Sequence, residues 1–102
     1  MIKTVFMSST TPVSEFTWNH KYGECDFIIV IFKTPNGCGS KLIRGTNRVI
    51  GPRGGRPPDI ISYESGGNTI TYEYDDTSEK YSTSSQYASN YGIIRVVRLT
   101  SL

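Results

Sequence analysis

The chain has 102 residues, of which 36% are hydrophobic, 12% aromatic and 20% charged, and its formal net charge at pH 7 is +2. This length and apolar content predict one folded domain over residues 1–102 and exclude a disordered tail. No run reaches the roughly 18 apolar residues that a membrane span needs, and the opening residues lack a signal-peptide core, so we expect neither a membrane anchor nor secretion by that route.

The N-terminal segment contains two candidate strands, residues 2–6 and 13–18. Pro12 lies between them and cannot donate a hydrogen bond to a sheet, which is tolerated at a sheet edge but not in a central strand. We therefore expect residues 1–12 to form an extended N-terminal arm that joins an edge of the sheet.

The segment "DFIIVIFK" follows, with six consecutive apolar residues at positions 27–32. Such a run, rich in β-branched side chains, is typical of a central strand that is buried on both faces. The Asn36-Gly37 pair comes next. Because both residues tolerate positive φ, the pair is suited to a type I′ hairpin turn, and we expect the chain to reverse there into "KLIRG".

Two further strands, "DIISYE" and "TITYEY", flank "SGGN", which is a second hairpin signal. The period-2 pattern places Ile70, Tyr72 and Tyr74 on one face of the second strand, and Thr71 and Glu73 on the other.

Residues 75–92 contain no Val, Ile or Leu and predict a long polar loop, in which tyrosines at 81, 87 and 91 anchor the loop to the body or to a partner. "IIRVVRL", at 93–99, closes the chain as another strand. Seven or eight short strands in about 100 residues predict an all-β fold, either a small antiparallel β-sandwich or a jelly-roll-like barrel.

The charges are segregated along the chain. Residues 27–58 carry six basic side chains and no acidic one, namely Lys33, Lys41, Arg44, Arg48, Arg53 and Arg56. Residues 59–79 carry six acidic side chains and no basic one, namely Asp59, Glu64, Glu73, Asp75, Asp76 and Glu79. The two blocks either pair within one domain, where each exposed ion pair contributes about 0–1 kcal/mol, or attract other copies head to tail or a charged neighbour.

The basic block ends in "VIGPRGGRPPDI", at residues 49–60. This segment lacks the Lys-Ser/Thr of a phosphate-binding loop, and its prolines remove backbone N–H donors. It also has no aromatic side chain to stack on a base, and an acidic block follows at once, so we do not expect a nucleic-acid partner. The segment is best interpreted as a stiff connector that presents Arg53 and Arg56 outward, as possible contacts to a protein partner.

The sequence offers little for catalysis or cofactor binding. The single histidine, His20, would need Cys25 or Cys38 within hydrogen-bond reach, and these three residues have no familiar zinc spacing. The two cysteines either stay reduced or form a bridge, and the lack of a signal peptide favours thiols packed as small hydrophobic groups. The acidic residues at 73–79 lack the calcium-loop pattern and favour a solvated turn. We therefore expect no enzyme, no metal and no cofactor.

The order of "TPVSEFTWNHKYGECDFIIVIFK", "NTITYEY" and "GIIRVVRL" resembles the small β-sandwich domains of bacteriophage tail-fibre and capsid-appendage proteins. Residues 18–23 stand at the turn that precedes the long apolar strand of those domains, and residues 68–72 stand at their later Asn-x-Ile-Thr-Ile strand. Tyr22 replaces the usual leucine, and the basic Gly-Pro segment is an insertion. The resemblance implies a non-enzymatic virion component, such as a capsid decoration protein or a fibre subunit, that is trimeric or part of an array.

We therefore expect a virion protein, assembled in the host cytoplasm, that binds other virion proteins or further copies of itself. The candidate partner-binding residues are Ile2, Val5, Phe6, Arg44, Arg48, Arg53, Arg56, Tyr81 and Tyr87. The alternative function is a carbohydrate-binding module in which exposed aromatic side chains stack on sugar rings. Its candidate sugar-binding residues are Trp18 and Tyr22, joined by the loop tyrosines.

Overall fold

The structure, a computed structural model, describes residues 2–18, 26–45, 58–84 and 91–100. These residues form eight strands in two four-stranded antiparallel sheets, which confirms the predicted all-β fold and is consistent with a small β-sandwich. The strands are β1 (Ile2–Val13), β2 (Glu15–Thr17), β3 (Phe27–Thr34), β4 (Gly37–Arg44), β5 (Ile60–Ser65), β6 (Asn68–Asp75), β7 (Lys80–Ser82) and β8 (Gly92–Thr100).

The two sheets contain strands from both ends of the chain. Sheet 1 has the order β1-β8-β3-β4, and sheet 2 has the order β2-β7-β6-β5. The β3–β4 hairpin lies in sheet 1 and the β5–β6 hairpin lies in sheet 2. The chain changes sheet between β1 and β2, and β8 returns to lie between β1 and β3. The apolar strands β3 and β8 therefore occupy the interior positions of sheet 1, as expected for β3.

The N-terminal segment is a full strand of the sandwich. β1 pairs along β8, from Ile2 with Thr100 to Val13 with Ile93, with register shifts after Val5 and after Ser8. Since β1 is an edge strand, Pro12 near its end is placed where a missing N–H donor is tolerated. The residues predicted as an arm thus supply one side of sheet 1.

The β5–β6 hairpin turns at Gly66 and Gly67, with φ of 56° and 82°, the left-handed values that a type I′ turn requires at both central positions. The β3–β4 hairpin differs from its prediction. Thr34 pairs with Gly37, so the turn residues are Pro35 and Asn36. The reversal is confirmed, but the type I′ assignment is wrong because the proline ring holds φ near −65°.

The core lies between the sheets and is rich in aromatic rings. β3 alternates: Ile28 and Val30 are fully buried, whereas Ile29 and Ile31 are only partly buried on the outer face. The prediction that this strand is buried on both faces is therefore wrong. The buried hydrophobic residues of this core are Phe16, Trp18, Ile28, Val30, Ile61, Tyr63, Ile70, Tyr72, Tyr81, Ile93 and Val96. Val97 is also buried but is paired with Ile29 on the outer side of sheet 1.

Tyr72 ties the two sheets together. It extends from β6 in sheet 2, and its hydroxyl donates to the carbonyl oxygen of Val13 at 2.6 Å and accepts from the N–H of Ile93 at 3.0 Å. Val13 and Ile93 are register partners in sheet 1, beyond the shift that follows Ser8. One tyrosine hydroxyl thus satisfies backbone groups of two neighbouring strands where their ladder is irregular. Burial raises the pKa of Tyr72, and the hydrogen bond from Ile93 partly offsets the rise.

The segment predicted as a long polar loop, 75–92, contains a strand. β7 lies inside it and pairs with both β2 and β6. Tyr81, at its centre, is fully buried, and its hydroxyl donates to the carbonyl oxygen of Pro58 at 2.6 Å. The turn before β7 ends at Glu79, which has φ of 56°. The prediction missed this strand because the segment has no Val, Ile or Leu, and the strand is held by the buried ring of Tyr81 instead.

Candidate docking surface

The outer face of sheet 1 carries a row of aliphatic side chains that crosses all four strands. Val5 in β1 is the register partner of Val97 in β8, Val97 pairs with Ile29 in β3, and Ile29 pairs with Leu42 in β4. Side chains of register partners lie on the same face of a sheet, so the four form one line. The flanking rows add Phe27 and Leu99 on one side and Ile31 on the other.

The ends of this row are open to solvent. Leu42 is 61% exposed and Val5 is 44% exposed, and both lie on the edge strands of sheet 1, whereas Val97 in the interior of the row is only 5% exposed. Single exposed hydrophobic residues are ordinary on a protein surface. Two exposed aliphatic side chains at the ends of one outward row make this face a candidate for binding.

Every charged residue on this face is basic. By register and strand alternation, the outward positions of sheet 1 include Lys3, Lys33, Arg44 and Arg95. The guanidinium carbon of Arg44 lies 5.9 Å from the centroid of the Phe27 ring. The four strands of sheet 1 contain six basic residues and no acidic one. We call the surface formed by these residues the apolar-basic face, with the members Lys3, Val5, Phe27, Ile29, Ile31, Lys33, Leu42, Arg44, Arg95, Val97 and Leu99.

The remaining basic side chains of sheet 1 are engaged elsewhere. Lys41 donates from its Nζ to the carbonyl oxygen of Ser62 at 2.7 Å, linking the edge strands β4 and β5. Arg98 donates to the Thr4 hydroxyl at 3.3 Å, and its guanidinium carbon lies 5.2 Å from the centroid of the Phe6 ring. These contacts stabilise the sandwich rather than the outer face.

The outer face of sheet 2 is polar and acidic. The strands of sheet 2 contain four acidic residues and one basic residue, and that basic residue, Lys80, forms an ion pair with Glu15 at 3.3 Å. Ile60, 58% exposed, is the large apolar side chain on this face and pairs with Glu73 in the register. We call this surface the acidic face, with the members Glu15, Thr17, Ile60, Ser62, Glu64, Thr69, Thr71, Glu73, Asp75, Lys80 and Ser82.

The two charge blocks of the sequence therefore lie on different sheets where the structure describes them. Lys33, Lys41 and Arg44 belong to sheet 1, whereas Glu64 and Glu73 belong to sheet 2. The reason is local: each hairpin keeps neighbours in the chain within one sheet. The basic residues at 48, 53 and 56 lie outside the described residues.

The structure distributes the predicted partner-binding residues unevenly. Ile2, Val5 and Arg44 are exposed on sheet 1. Phe6 turns inward and stacks on Trp18, with ring centroids 4.2 Å apart, and Tyr81 is buried in the core, so neither ring is available to a partner. Arg48, Arg53, Arg56 and Tyr87 lie outside the described residues.

The predicted sugar site is not supported at its tryptophan. Trp18 is 1% exposed and lies between the sheets, so neither face of its indole can stack on a sugar ring. Tyr22, His20 and Cys25 lie outside the described residues. Cys38 is exposed on β4, which corrects the expectation that it packs as a small hydrophobic group.

The acidic turn between β6 and β7 is held by its own hydrogen bonds. The Asp75 carboxylate accepts from the Ser78 hydroxyl at 2.8 Å and from the backbone N–H groups of Thr77 and Ser78. These bonds, that from the Ser78 hydroxyl foremost, lower the pKa of Asp75. Among the described residues, no group of three or more His, Cys, Asp or Glu side chains is arranged to hold a metal ion.

Sequence reasoning did not identify Ile29 and Leu42 as outward-facing residues. The signal was present in "FIIVIFK", because a strand with one inner face still carries isoleucines at the outward positions. The run was attributed to burial on both sides, whereas Ile29 and Ile31 on the outer side of β3 are only partly buried.

Comparisons with known proteins give no relative. No family model, no curated protein and no solved structure matches the chain. The described residues also contain no helix long and apolar enough to cross a membrane. The fold and the surface chemistry of the chain itself therefore carry the functional argument.

Proposed function

We propose that this chain is a non-enzymatic structural protein of a phage particle, a capsid decoration or fibre subunit, which docks to neighbouring particle proteins through its apolar-basic face. The observation that carries the proposal is the aliphatic row from Val5 to Leu42, open at both ends and, among the described strands, bordered by basic charges alone. Assembly in the host cytoplasm, before release of the particle, follows from this role.

The chemistry of the face fits a protein partner. Burial of exposed aliphatic area supplies roughly 25 cal/mol per Å², so covering Leu42 and Val5 favours association. Arginine is enriched at protein interfaces, and Arg44 and Arg95 lie beside the row. The outer face of a sheet suits a macromolecular neighbour, whereas a small substrate binds in a concave site.

The assignment to a phage particle is supported by the resemblance in the order of strands and by the sandwich that the chain forms. Small all-β domains are common carriers of binding functions, so the fold by itself does not select a partner. The first experiment therefore tests whether the chain is a component of a phage particle.

The test begins with particles purified by density gradient from the culture that produces the chain. Mass spectrometry is expected to find the chain in the particle band. The purified chain should then rebind to particles from which it has been removed. Leu42→Glu should weaken this rebinding about tenfold or more, because it places a carboxylate in the apolar contact.

Thr77→Glu is the control. Thr77 is also exposed and gains the same carboxylate, but it lies in the turn between β6 and β7, outside the apolar-basic face and the acidic face. Rebinding of this variant should match that of the natural chain. A chain that stays in the soluble fraction and is absent from particles would refute the proposal.

A further inference from the structure

We propose that the neighbour which the apolar-basic face binds is a second copy of this chain, presented through its acidic face, so that copies stack head to tail. This inference rests on the proposed function for its setting in a particle. It makes no use of the residues outside the described ranges.

The charges of the two sheets are complementary. The apolar-basic face carries four basic residues and no acidic one, whereas the acidic face carries four acidic residues and Lys80, which is paired with Glu15. Stacking the apolar-basic face of one copy on the acidic face of the next therefore brings mainly unlike charges together. Such complementarity steers encounter and fixes register.

The same charges disfavour symmetric dimers. A two-fold pair through the apolar-basic face would bring Lys3, Lys33, Arg44 and Arg95 against their own copies. A two-fold pair through the acidic face would oppose carboxylates. A head-to-tail contact avoids both, and since it uses two different surfaces it extends into a row or closes into a ring.

The acidic face also offers contacts for the aliphatic row. Ile60 is its exposed apolar side chain, and Thr69 and Thr71 lie at outward positions of β6, with the Thr69 hydroxyl donating to Glu64 at 3.3 Å. Leu42 and Val5 can lose solvent against these groups, while Glu64 and Glu73 meet the basic side chains. Removal of apolar surface from water holds the contact, and the charges set its orientation.

The experiment is sedimentation velocity of the purified full chain at low salt and at about 0.5 M salt, where charge interactions are screened. Species larger than the monomer are expected at low salt, with dissociation as salt rises. The basic-face variant carries Lys3→Glu and Lys33→Glu, and the acidic-face variant carries Glu64→Lys and Glu73→Lys. Each should weaken self-association about tenfold or more.

Mixing the two variants distinguishes head-to-tail stacking from any symmetric contact. The basic-face variant keeps an intact acidic face, and the acidic-face variant keeps an intact apolar-basic face. Their equimolar mixture should associate, although neither variant associates alone. The intact faces pair with each other, and the two reversed faces carry opposite charges, so the dimers can extend into alternating rows. Asp76→Lys is the control. It changes the net charge by the same amount as one Glu→Lys substitution, but Asp76 lies in the β6–β7 turn and belongs to neither face. Association of this variant should therefore be unchanged. The thermal unfolding midpoint of each variant must match that of the natural chain.

A natural chain that is monomeric at every salt and concentration would overturn the inference. So would an acidic-face variant that still dimerises by itself, because that result requires a symmetric contact. A monomeric chain that nevertheless rebinds to particles would leave the proposed function standing. Salt-sensitive stacks formed by a chain that is absent from particles would leave the inference standing and remove the proposed function.

Discussion

Replacing Tyr72 by phenylalanine tests the link between the two sheets. The substitution keeps the ring in the core and removes only the hydroxyl that donates to the Val13 carbonyl oxygen and accepts from the Ile93 N–H. Ile93 is fully buried, so its N–H is left without a partner, at a cost of about 1–3 kcal/mol. Val13 is half-buried, and loss of its donor adds about 0.5–1.5 kcal/mol.

The free energy of unfolding should therefore fall by about 2–4 kcal/mol, a large part of the 5–15 kcal/mol typical of a domain. Urea unfolding measures this change, with fluorescence of Trp18 as the probe because it is the single tryptophan and is buried. An unchanged m-value shows that the midpoint reports stability alone.

Tyr63→Phe is the matched control on the neighbouring strand. Tyr63 is also a buried tyrosine of sheet 2, but its hydroxyl has no hydrogen-bond partner. Removing a buried, unpaired hydroxyl should leave stability unchanged or raise it by up to about 1 kcal/mol, while the stack on Phe32 at 3.8 Å is kept. Equal destabilisation by Tyr63→Phe and Tyr72→Phe would refute the reasoning.

Three further predictions concern pH and packing. Burial raises the pKa of Tyr63 in the folded chain, so the neutral hydroxyl favours the folded state. This contribution to the free energy of unfolding is complete below pH 10 and is lost as the pH rises above 10. The urea midpoint of the natural chain should therefore fall in alkali, and that of Tyr63→Phe should fall less steeply. The Asp75 carboxyl should titrate below its ordinary range in carbon-detected NMR, and Ser78→Ala should move its pKa upward by removing the strongest hydrogen bond. Gly39→Ala should destabilise the chain by about 1–3 kcal/mol in urea, because a Cβ there would lie 2.7 Å from a ring carbon of Phe32, itself fixed by stacking.

The hairpins show how far the sequence predicts the fold. "SGGN" predicted its turn because glycine at both central positions accepts positive φ. At Asn36-Gly37 the same reasoning misplaced the turn by one residue, since it did not weigh Pro35, which cannot adopt positive φ. Local backbone chemistry thus predicted both reversals, and the turn type only where no proline intervened.

The tyrosines show where sequence reasoning stopped. Tyr81 was assigned to an exposed loop because its neighbours are polar, yet its hydroxyl is satisfied by the Pro58 carbonyl, 23 residues earlier in the chain. Phe6 and Trp18, each taken for a surface contact, stack on one another across the β1–β2 corner. Such pairings depend on strand order, which period-2 patterns do not encode. For the same reason the basic hairpin was visible in the sequence, whereas the addition of Lys3 and Arg95 to its face was not.

The division of charge between the strands of the two sheets gives the described part of the chain an electric dipole, directed from sheet 2 towards sheet 1. A net charge of +2 describes such a molecule poorly, because a nearby charged surface meets one side and not the average. Cation- and anion-exchange resins should both retain the chain near neutral pH, each holding it by the opposite side.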